Sequence, residues 1–396
     1  MPLPDWKEIQ EQATIVDLHI HPSMQQQIFN RNLNLRYFID RSIFRGAPFT
    51  TRASFPRLKD GSYDVILSVL HVPEKGLLKD FPIINLFRIL RPDLWKKLIV
   101  SPPFEATMTI MDEFEATVAQ SHGFERVQMA HSVNDLNAIL SQPRETKPIA
   151  AIHCIEGAHS LGYSDTSDEE VMRHLEALYQ RGVAYITLAH FYPNRVTNPV
   201  YPFPEDFAHL AKNPALWRDI TRGLTPLGEK VVERMIELGM LIDLSHSAPA
   251  ARFQVYQIMD ASSKRLPILA THVGAYGINP SPYNLTDWEI QRIARDGGAV
   301  GVIFMPYWLM PKESGMGINF ISRHIQYLVD LAGEDVAAIG TDFDGFTTPP
   351  EDLDNASQMA RLTQRLVADG HSRDRIFKVL GGNALRAVCS GWGKKN

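Results

Sequence analysis

The run Ile15-Val16-Asp17-Leu18-His19-Ile20-His21 ends in two imidazoles two residues apart. On a strand, residues two apart point the same way. His19 and His21 are therefore expected on one face, with Val16, Leu18 and Ile20 on the other. Two imidazoles at a strand end are a ready bidentate for a divalent metal. Other apolar runs also end in residues of ligand type: Glu156 after His153-Cys154-Ile155, His190 after Thr187-Leu188-Ala189, and His246 after Ile242-Asp243-Leu244-Ser245. His272 follows Leu269-Ala270-Thr271, and Asp342 follows Ile339-Gly340-Thr341. One histidine among 14 means little. Independent runs that deliver nitrogen and oxygen donors to one mouth form a metal-type set.

Neighbouring residues are read more modestly. Gly157 allows a tight turn or close backbone approach after Glu156. His71 and His153 are not taken as ligands, and His153 has the opposite parity to Glu156 and should face the helices. His159 and Asp243 are expected to orient ligands. Asp344 either competes with Asp342 or caps the next turn. Cys154 reads as a packed thiol.

The elements that must position these groups are eight candidate strands: Ile15–His19, Asp64–Leu70, Ile149–Ile155, Ala184–Ala189, Met240–Ser245, Pro267–Thr271, Ala299–Phe304 and Ala337–Thr341. Most lack clean alternation, as strands covered on both faces do. Helical periodicity fills Asp168–Arg181, Pro226–Leu238, Thr286–Ala294, Phe320–Leu331, Ala356–Ala368 and Ser372–Val379. Thr225 is expected to cap the second of these, with Pro226 at its first position and Gly239 as its stop. Strands alternating with helices predict a closed (β/α)8 TIM-type barrel, whose active groups sit on the loops after the strands. A doubly wound open sheet fits less well, because the polar residues end many strands and not one switch point. Residues 1–396 read as one barrel domain, with 22–62 and 72–125 as insertions near the active-site mouth. The stretch from Leu77 to Phe104 is apolar but punctuated by charge, which suits a lid, a subunit contact or an interfacial element.

Composition narrows the class. The chain has 396 residues, 44% hydrophobic and 21% charged, enough for a large core. A net charge of -5 gives no reason to expect nucleic acid. Two cysteines imply no disulfide framework and fit a cytoplasmic location. The opening Met1-Pro2-Leu3-Pro4-Asp5 lacks the basic and apolar pattern of a signal peptide, and no apolar run reaches membrane-spanning length. No G-x-S-x-G elbow, Walker A pattern or G-x-G-x-x-G after a strand is present.

Several of these stretches together resemble the renal (membrane) dipeptidase family, peptidase family M19, of the amidohydrolase superfamily. They are Glu156-Gly157-Ala158-His159-Ser160-Leu161, Thr187-Leu188-Ala189-His190, Gly223-Leu224-Thr225-Pro226-Leu227-Gly228, Met240 to His246, Gly340 to Gly345 and Gly382-Asn383-Ala384-Leu385-Arg386. The likeness runs from about residue 150 onward, with the first strand added, and covers 22–125 poorly. It implies a distorted barrel with two zinc ions bridged by Glu156. His19 would bind the first, and His246 and His272 the second. His190 would stabilise the substrate oxygen and Asp342 would manage protons; a homodimer is a further family expectation.

Two departures stand out. The family has His-x-Asp where this chain has His19-Ile20-His21. His-x-His is the wider superfamily's pattern, in which the last-strand Asp also ligates, so Asp342 is expected near the first metal. The family also carries a carboxylate-binding Arg just before the Asn equivalent to Asn284, where this chain has Tyr283. A phenol cannot replace a guanidinium fork. Arg195, Arg222 or an Arg within 31–57 is the candidate substitute, and Tyr283 and Asn284 are the candidate substrate contacts. The reading that results is a binuclear hydrolase of the dipeptidase type, in which a metal-bridged hydroxide attacks a small peptide or amide. Its alternatives are an amidohydrolase for an N-acyl amino acid, small amide or lactone, and a barrel protein without catalysis.

Overall fold

The computed structural model describes residues 4–36, 51–200, 219–310 and 317–393. Among them are nine strands, each parallel to its neighbours: β1 (Ile15–Ile20), β2 (Tyr63–Leu70), β3 (Val127–Met129), β4 (Ile149–Glu156), β5 (Tyr185–Thr187), β6 (Leu241–Asp243), β7 (Ile268–Val273), β8 (Ala299–Val302) and β9 (Ala337–Ile339). The order is β2-β1-β9-β8-β7-β6-β5-β4-β3, and β2 also pairs with β4. That pairing closes eight of the strands into a barrel. Every residue of those eight is buried, because the lumen takes one face and the helices take the other.

The ninth strand, β3, is absent from the sequence reading. It pairs with Ile149–Ala151, and β5 takes over that edge of β4 at Ile155 and Glu156. Three residues with an exposed Gln128 between Val127 and Met129 make too short a pattern to read. The stretch 72–125 likewise holds more than a covering loop. Its second half contains the 17-residue helix Pro103–Ala119, which buries Ala106, Ile110, Met111 and Phe114 and packs on β2 and β3. The expected helices start where their caps put them. Thr225 Oγ1 accepts from Gly228 N ahead of Pro226–Leu238, which ends at Gly239 with φ 78°. Thr286 and Glu289 form a capping box at Asp287–Arg295.

The simple parity expected of β1 does not hold. Val16 and Leu18 pack with Val65, Leu67, Ile152 and Cys154 and with one residue from each of β5 to β9, which is the lumen. Ile20 packs in the outer layer instead. The cause is a register slip: β1 advances from Asp17 to Ile20 while β2 advances only from Ile66 to Ser68. One extra residue flips the strand's faces at its end. The lumen is apolar below the slip and carries the imidazoles above it.

Two buried aspartates fasten the strand ends. Asp17 Oδ1 accepts from His19 N (3.1 Å) and Thr341 N (3.0 Å), and Oδ2 accepts from Thr341 Oγ1 (2.6 Å). Asp243 repeats the device: Oδ1 accepts from Ser245 N (3.1 Å) and Thr271 N (2.8 Å), and Oδ2 from Thr271 Oγ1 (2.8 Å) and Thr187 Oγ1 (2.6 Å). Each carboxylate thus holds the residue two ahead on its own strand and a threonine just before a candidate ligand on a neighbour. Burial pushes the Asp17 carboxyl up to about 6 from 3.8, and the Thr341 bonds oppose that rise.

Thr341→Val keeps the side-chain shape and strips Asp17 Oδ2 of that donor. It is expected to cost about 1–3 kcal/mol of stability, read as a shift in urea midpoint at constant m. The folded protein binds more protons than the unfolded chain between about pH 4 and pH 6, so the cost of the buried charge appears as pH rises through that window. The loss should be larger near pH 7.5 than near pH 5. A midpoint that does not move would remove the aspartate lock as a stabilising element.

Candidate metal centre

The strand ends of β1, β4, β6 and β7 bring four imidazole nitrogens to one carboxylate. Glu156 Oε1 lies 3.2 Å from His19 Nε2, 3.3 Å from His246 Nε2 and 3.4 Å from His272 Nε2. Oε2 lies 3.5 Å from His21 Nε2 and 3.5 Å from His190 Nε2. His19 and His21 meet at 3.0 Å between their Nε2 atoms, and His246 and His272 at 2.8 Å. Asp342 Oδ1 is 3.2 Å from His21 Nε2, on the first pair's side. All of these residues are buried.

The local backbone is made for this convergence. His246 and Asp342 both take left-handed φ values, 63° and 56°, which non-glycine residues rarely adopt outside constrained sites. Asp342 N donates to His19 O (2.8 Å) and His21 N to Phe343 O (2.9 Å), carrying the β1–β9 pairing past the strands. Gly345 has no side chain where a Cβ would stand 1.9 Å from Asp342 Oδ1. Gly157, at φ 92°, leaves the room that the His159 ring fills.

Proton bookkeeping fixes the ring orientations. Thr271 gives its hydroxyl proton to Asp243, so its oxygen is left to accept. His272 Nδ1 (2.9 Å) and His19 Nδ1 (3.0 Å) both turn toward that oxygen. An imidazole that donates from Nδ1 keeps its lone pair on Nε2. One threonine therefore aims a ligand from each histidine pair. Asp243 also accepts from Ser245 Oγ (2.9 Å), so five donors surround it and its part is positioning.

Burial pushes the Glu156 carboxyl up, but the charges of His190 and His19 and the hydrogen bonds from His19 and His246 outweigh this and hold it well below the usual carboxylate range. Burial, reinforced by His19 and His246, holds the His272 imidazole well below its ordinary value. Burial lowers His246 as well. Five Nε2 atoms crowded on a carboxylate, with two Nε2–Nε2 contacts and the buried Nδ1 atoms of His21 and His246 without hydrogen-bond partners, are groups suited to a shared cation. Neutral imidazoles with carboxylate suit a divalent metal of the zinc type. The triads His19/His21/Glu156 and Glu156/His246/His272 each bring their donor atoms within 4.8 Å of one another.

His190 depends on a residue the sequence reading missed. Its Nδ1 is 2.9 Å from Glu74 Oε2, while Glu74 Oε1 accepts from Phe191 N (3.0 Å) and Tyr192 N (2.8 Å). Burial opposes the charge on both groups, but the pairing wins: Glu74 falls to about 2, and Glu156 and Glu74 raise His190 above its ordinary value. Glu74 stands four residues beyond β2, and the bare sequence marks it only as an acid beside a strand end. His71 sits at the rim, its Nδ1 3.2 Å from Glu156 O and its ring 4.2 Å from that of His190. His153 faces the helices and meets Glu115 at 3.0 Å. Asp344 accepts from the backbone of Arg52 and Ala53, joining residues 51–54 to the last strand's loop.

The residues expected to contact substrate are tied up elsewhere. Tyr283 is buried, donates to His272 O (2.9 Å) and stacks on Trp308. Asn284 gives its amide to Asn279 O and Trp308 O and accepts from Gly274 N. Arg195 pairs with Asp168 and Arg222 with Asp219. Arg52 is buried and pairs with Asp354, while the arginines at 41 and 45 lie outside the described residues. A cavity of about 570 Å³ opens off Glu156, His71 and His190 and runs under the 77–99 stretch.

Comparison with known proteins gives one consistent relationship. A family model described as membrane dipeptidase (peptidase family M19) matches residues 4–390, and so runs through the 22–125 stretch that the motifs cover poorly. A Klebsiella pneumoniae protein described as "uncharacterized protein in pqqA 5'region" is 33% identical over 273 residues, 67% of this chain and 92% of the relative. Dipeptidase aclJ of Aspergillus oryzae is 29% identical over 241 residues, 61% of this chain, and the chain spans about half (51%) of that relative. Among solved structures, a metallo peptidase from Rhodobacter sphaeroides, liganded with a phosphinate mimic of L-Ala-D-Ala, superposes with TM-score 0.72 at 18% identity over 96% of this chain and 99% of that one. The dipeptidase AC gives 0.71 at 20% identity, with coverages of 96% and 99%. At such identities these two likenesses show the fold.

Thr271→Val is expected to weaken metal binding on the order of 10–100-fold, because it removes the acceptor of His272 Nδ1 and one of the two acceptors, with the Tyr185 hydroxyl, that hold His19 Nδ1. Thr271→Ser should keep most of the affinity. Competition against a chromophoric chelator reads both, and unchanged affinity in the valine variant would refute the shared role.

Proposed function

This chain belongs to the membrane dipeptidase family, peptidase family M19, and from that premise we propose that it hydrolyses a peptide or amide bond with two divalent metal ions, zinc foremost. The observation that carries the reading is the convergence of four imidazole Nε2 atoms on the two oxygens of Glu156. His19 and His21 with Glu156 would hold one ion, and His246 and His272 with Glu156 the other. The 3.2 Å contact of Asp342 with His21 supports its joining the first. When bound, such ions polarise a carbonyl and lower the pKa of water from 15.7 to about 7.

The chain's own groups account for the rest. Glu74 accepts the Nδ1 proton of His190, and the carboxylates beside that ring favour its charged form. His190 Nε2–H then faces the cavity beside Glu156, suited to an oxygen that gains negative charge under attack. Asp342 is the remaining carboxylate at the centre and is assigned the proton transfer. In the balanced reaction the water oxygen bonds to the carbonyl carbon, the C–N bond breaks, and one water proton passes through Asp342 to the departing amine. The phosphinate mimic of a dipeptide in the R. sphaeroides metallo peptidase supports a peptide-type substrate.

Purified protein is expected to hold two equivalents of zinc by elemental analysis. His19→Ala and His272→Ala should each lose one equivalent, and chelation should lower Tm. No metal after zinc supplementation would favour a barrel without catalysis. With zinc supplied so that both ions stay bound, Asp342→Asn should lose at least 10²-fold in kcat, and near-normal turnover would remove the proton-transfer role. Glu74→Gln should keep both metals and lose on the order of 10–100-fold in kcat.

A further inference from the structure

The cavity beside the metal centre has walls unlike those a free dipeptide would require. Leu77, Phe81, Phe87, Leu94, Trp95 and Leu98, all from one stretch of short helical turns between 75 and 100, line it together with Ile28 and Phe29. Among the described lining residues there is no lysine or arginine, and Glu156 is the only carboxylate. Apart from the amide of Gln27, the polar side chains of the lining are His71, Glu156 and His190, which belong to the centre itself. A free dipeptide carries an ammonium and a carboxylate, and outside the centre the described lining offers neither of them a charged partner. The volume, about 570 Å³, lies within the roughly 300–1,000 Å³ of sites that take drug-sized ligands. The same stretch also exposes Leu86, Ile89 and Leu90 at 50%, 78% and 71%, so it is apolar toward solvent as well as toward the cavity.

We infer that the substrate is an amide whose acyl part is a long apolar chain, lying in the cavity under residues 77–99 with its carbonyl at Glu156 and His190. The acyl side is chosen because the chain bonded directly to the attacked carbon reaches the cavity through the fewest atoms. The walls bury that chain by the hydrophobic effect alone, which selects by length and not by functional group. Hydrolysis would release a long-chain carboxylic acid and an amine, with water supplying the oxygen and the two protons. This inference rests on the hydrolase reading above for the reaction, and on the cavity alone for the chain.

Two measurements test it separately. In the first, N-acyl-alanines from acetyl to dodecanoyl compete with fluorescent cis-parinaric acid for the purified chain, with no turnover needed. Displacement should strengthen about fourfold per added methylene until the cavity is full, and then level off. Leu94→Trp, which fills part of the cavity, should bring the plateau to shorter chains. In the second, kcat/KM of the zinc-loaded protein is followed over the same series and over Ala-Ala, and should rise with chain length and exceed that for the dipeptide. Binding and kcat/KM both independent of chain length would overturn the inference while leaving the hydrolase standing. Length-dependent binding with no hydrolysis of any amide or dipeptide, in protein holding two zinc ions, would overturn the hydrolase reading and the substrate assignment while leaving the chain site.

Discussion

The hydrogen bond from Thr271 to Asp243 governs more of this structure than any other contact. It is buried beyond the reach of water, and it decides which way a proton points. Because the threonine hydroxyl donates to Asp243 (2.8 Å), its oxygen must accept, and the two rings turned toward it belong to different histidine pairs. The same carboxylate holds the backbone of Ser245, just before His246. One aspartate thus disciplines three of the four imidazoles, and Asp17 with Thr341 repeats the arrangement across the barrel next to Asp342. The strand order makes this possible, since it sets β6 beside β7 and β9 beside β1.

Above that frame the centre is electrostatically taut. A buried carboxylate is costly unless it is compensated, and Glu156 is compensated only by imidazoles, which are themselves penalised when charged. Such a group is tolerable where a cation is shared, and the left-handed backbone at His246 and Asp342 is a further sign of a site built at some cost to stability. Glu74 extends the network outward. Its charge keeps His190 oriented and, with Glu156, raises that imidazole above its ordinary value, and it ties the loop after β2 to the loop after β5.

The barrel carries the chemistry, while the stretch from 75 to 100 shapes what reaches it. Its short turns hold few buried polar side chains and line a long apolar space that ends at Glu156. Tyr283, where the family resemblance leads one to expect a carboxylate-binding arginine, spends its hydroxyl on the backbone of His272. On the inferred reading both features turn selectivity away from charge and toward apolar volume, on a barrel mouth that keeps its cluster of ligand-type residues.

Sequence by itself determined the ring of eight strands, the capped helices and the ligand-type residues His19, His21, Glu156, His190, His246, His272 and Asp342. All of these are local: a buried strand is an apolar run, a cap is a threonine before a proline, and a strand end is where the run stops. Tertiary structure alone decided the rest. Glu74 reaches His190 across 116 positions, which no periodicity records. The slip in β1 overturned the simple alternation of Val16, Leu18 and Ile20, because register belongs to two strands and not to one. Thr271 looked like an ordinary strand residue, and its hold on two histidines exists only once β1 and β7 face each other across the lumen. The apolar cavity is of the same kind: its lining is scattered between Met24 and Phe346, and only folding turns those side chains into a wall.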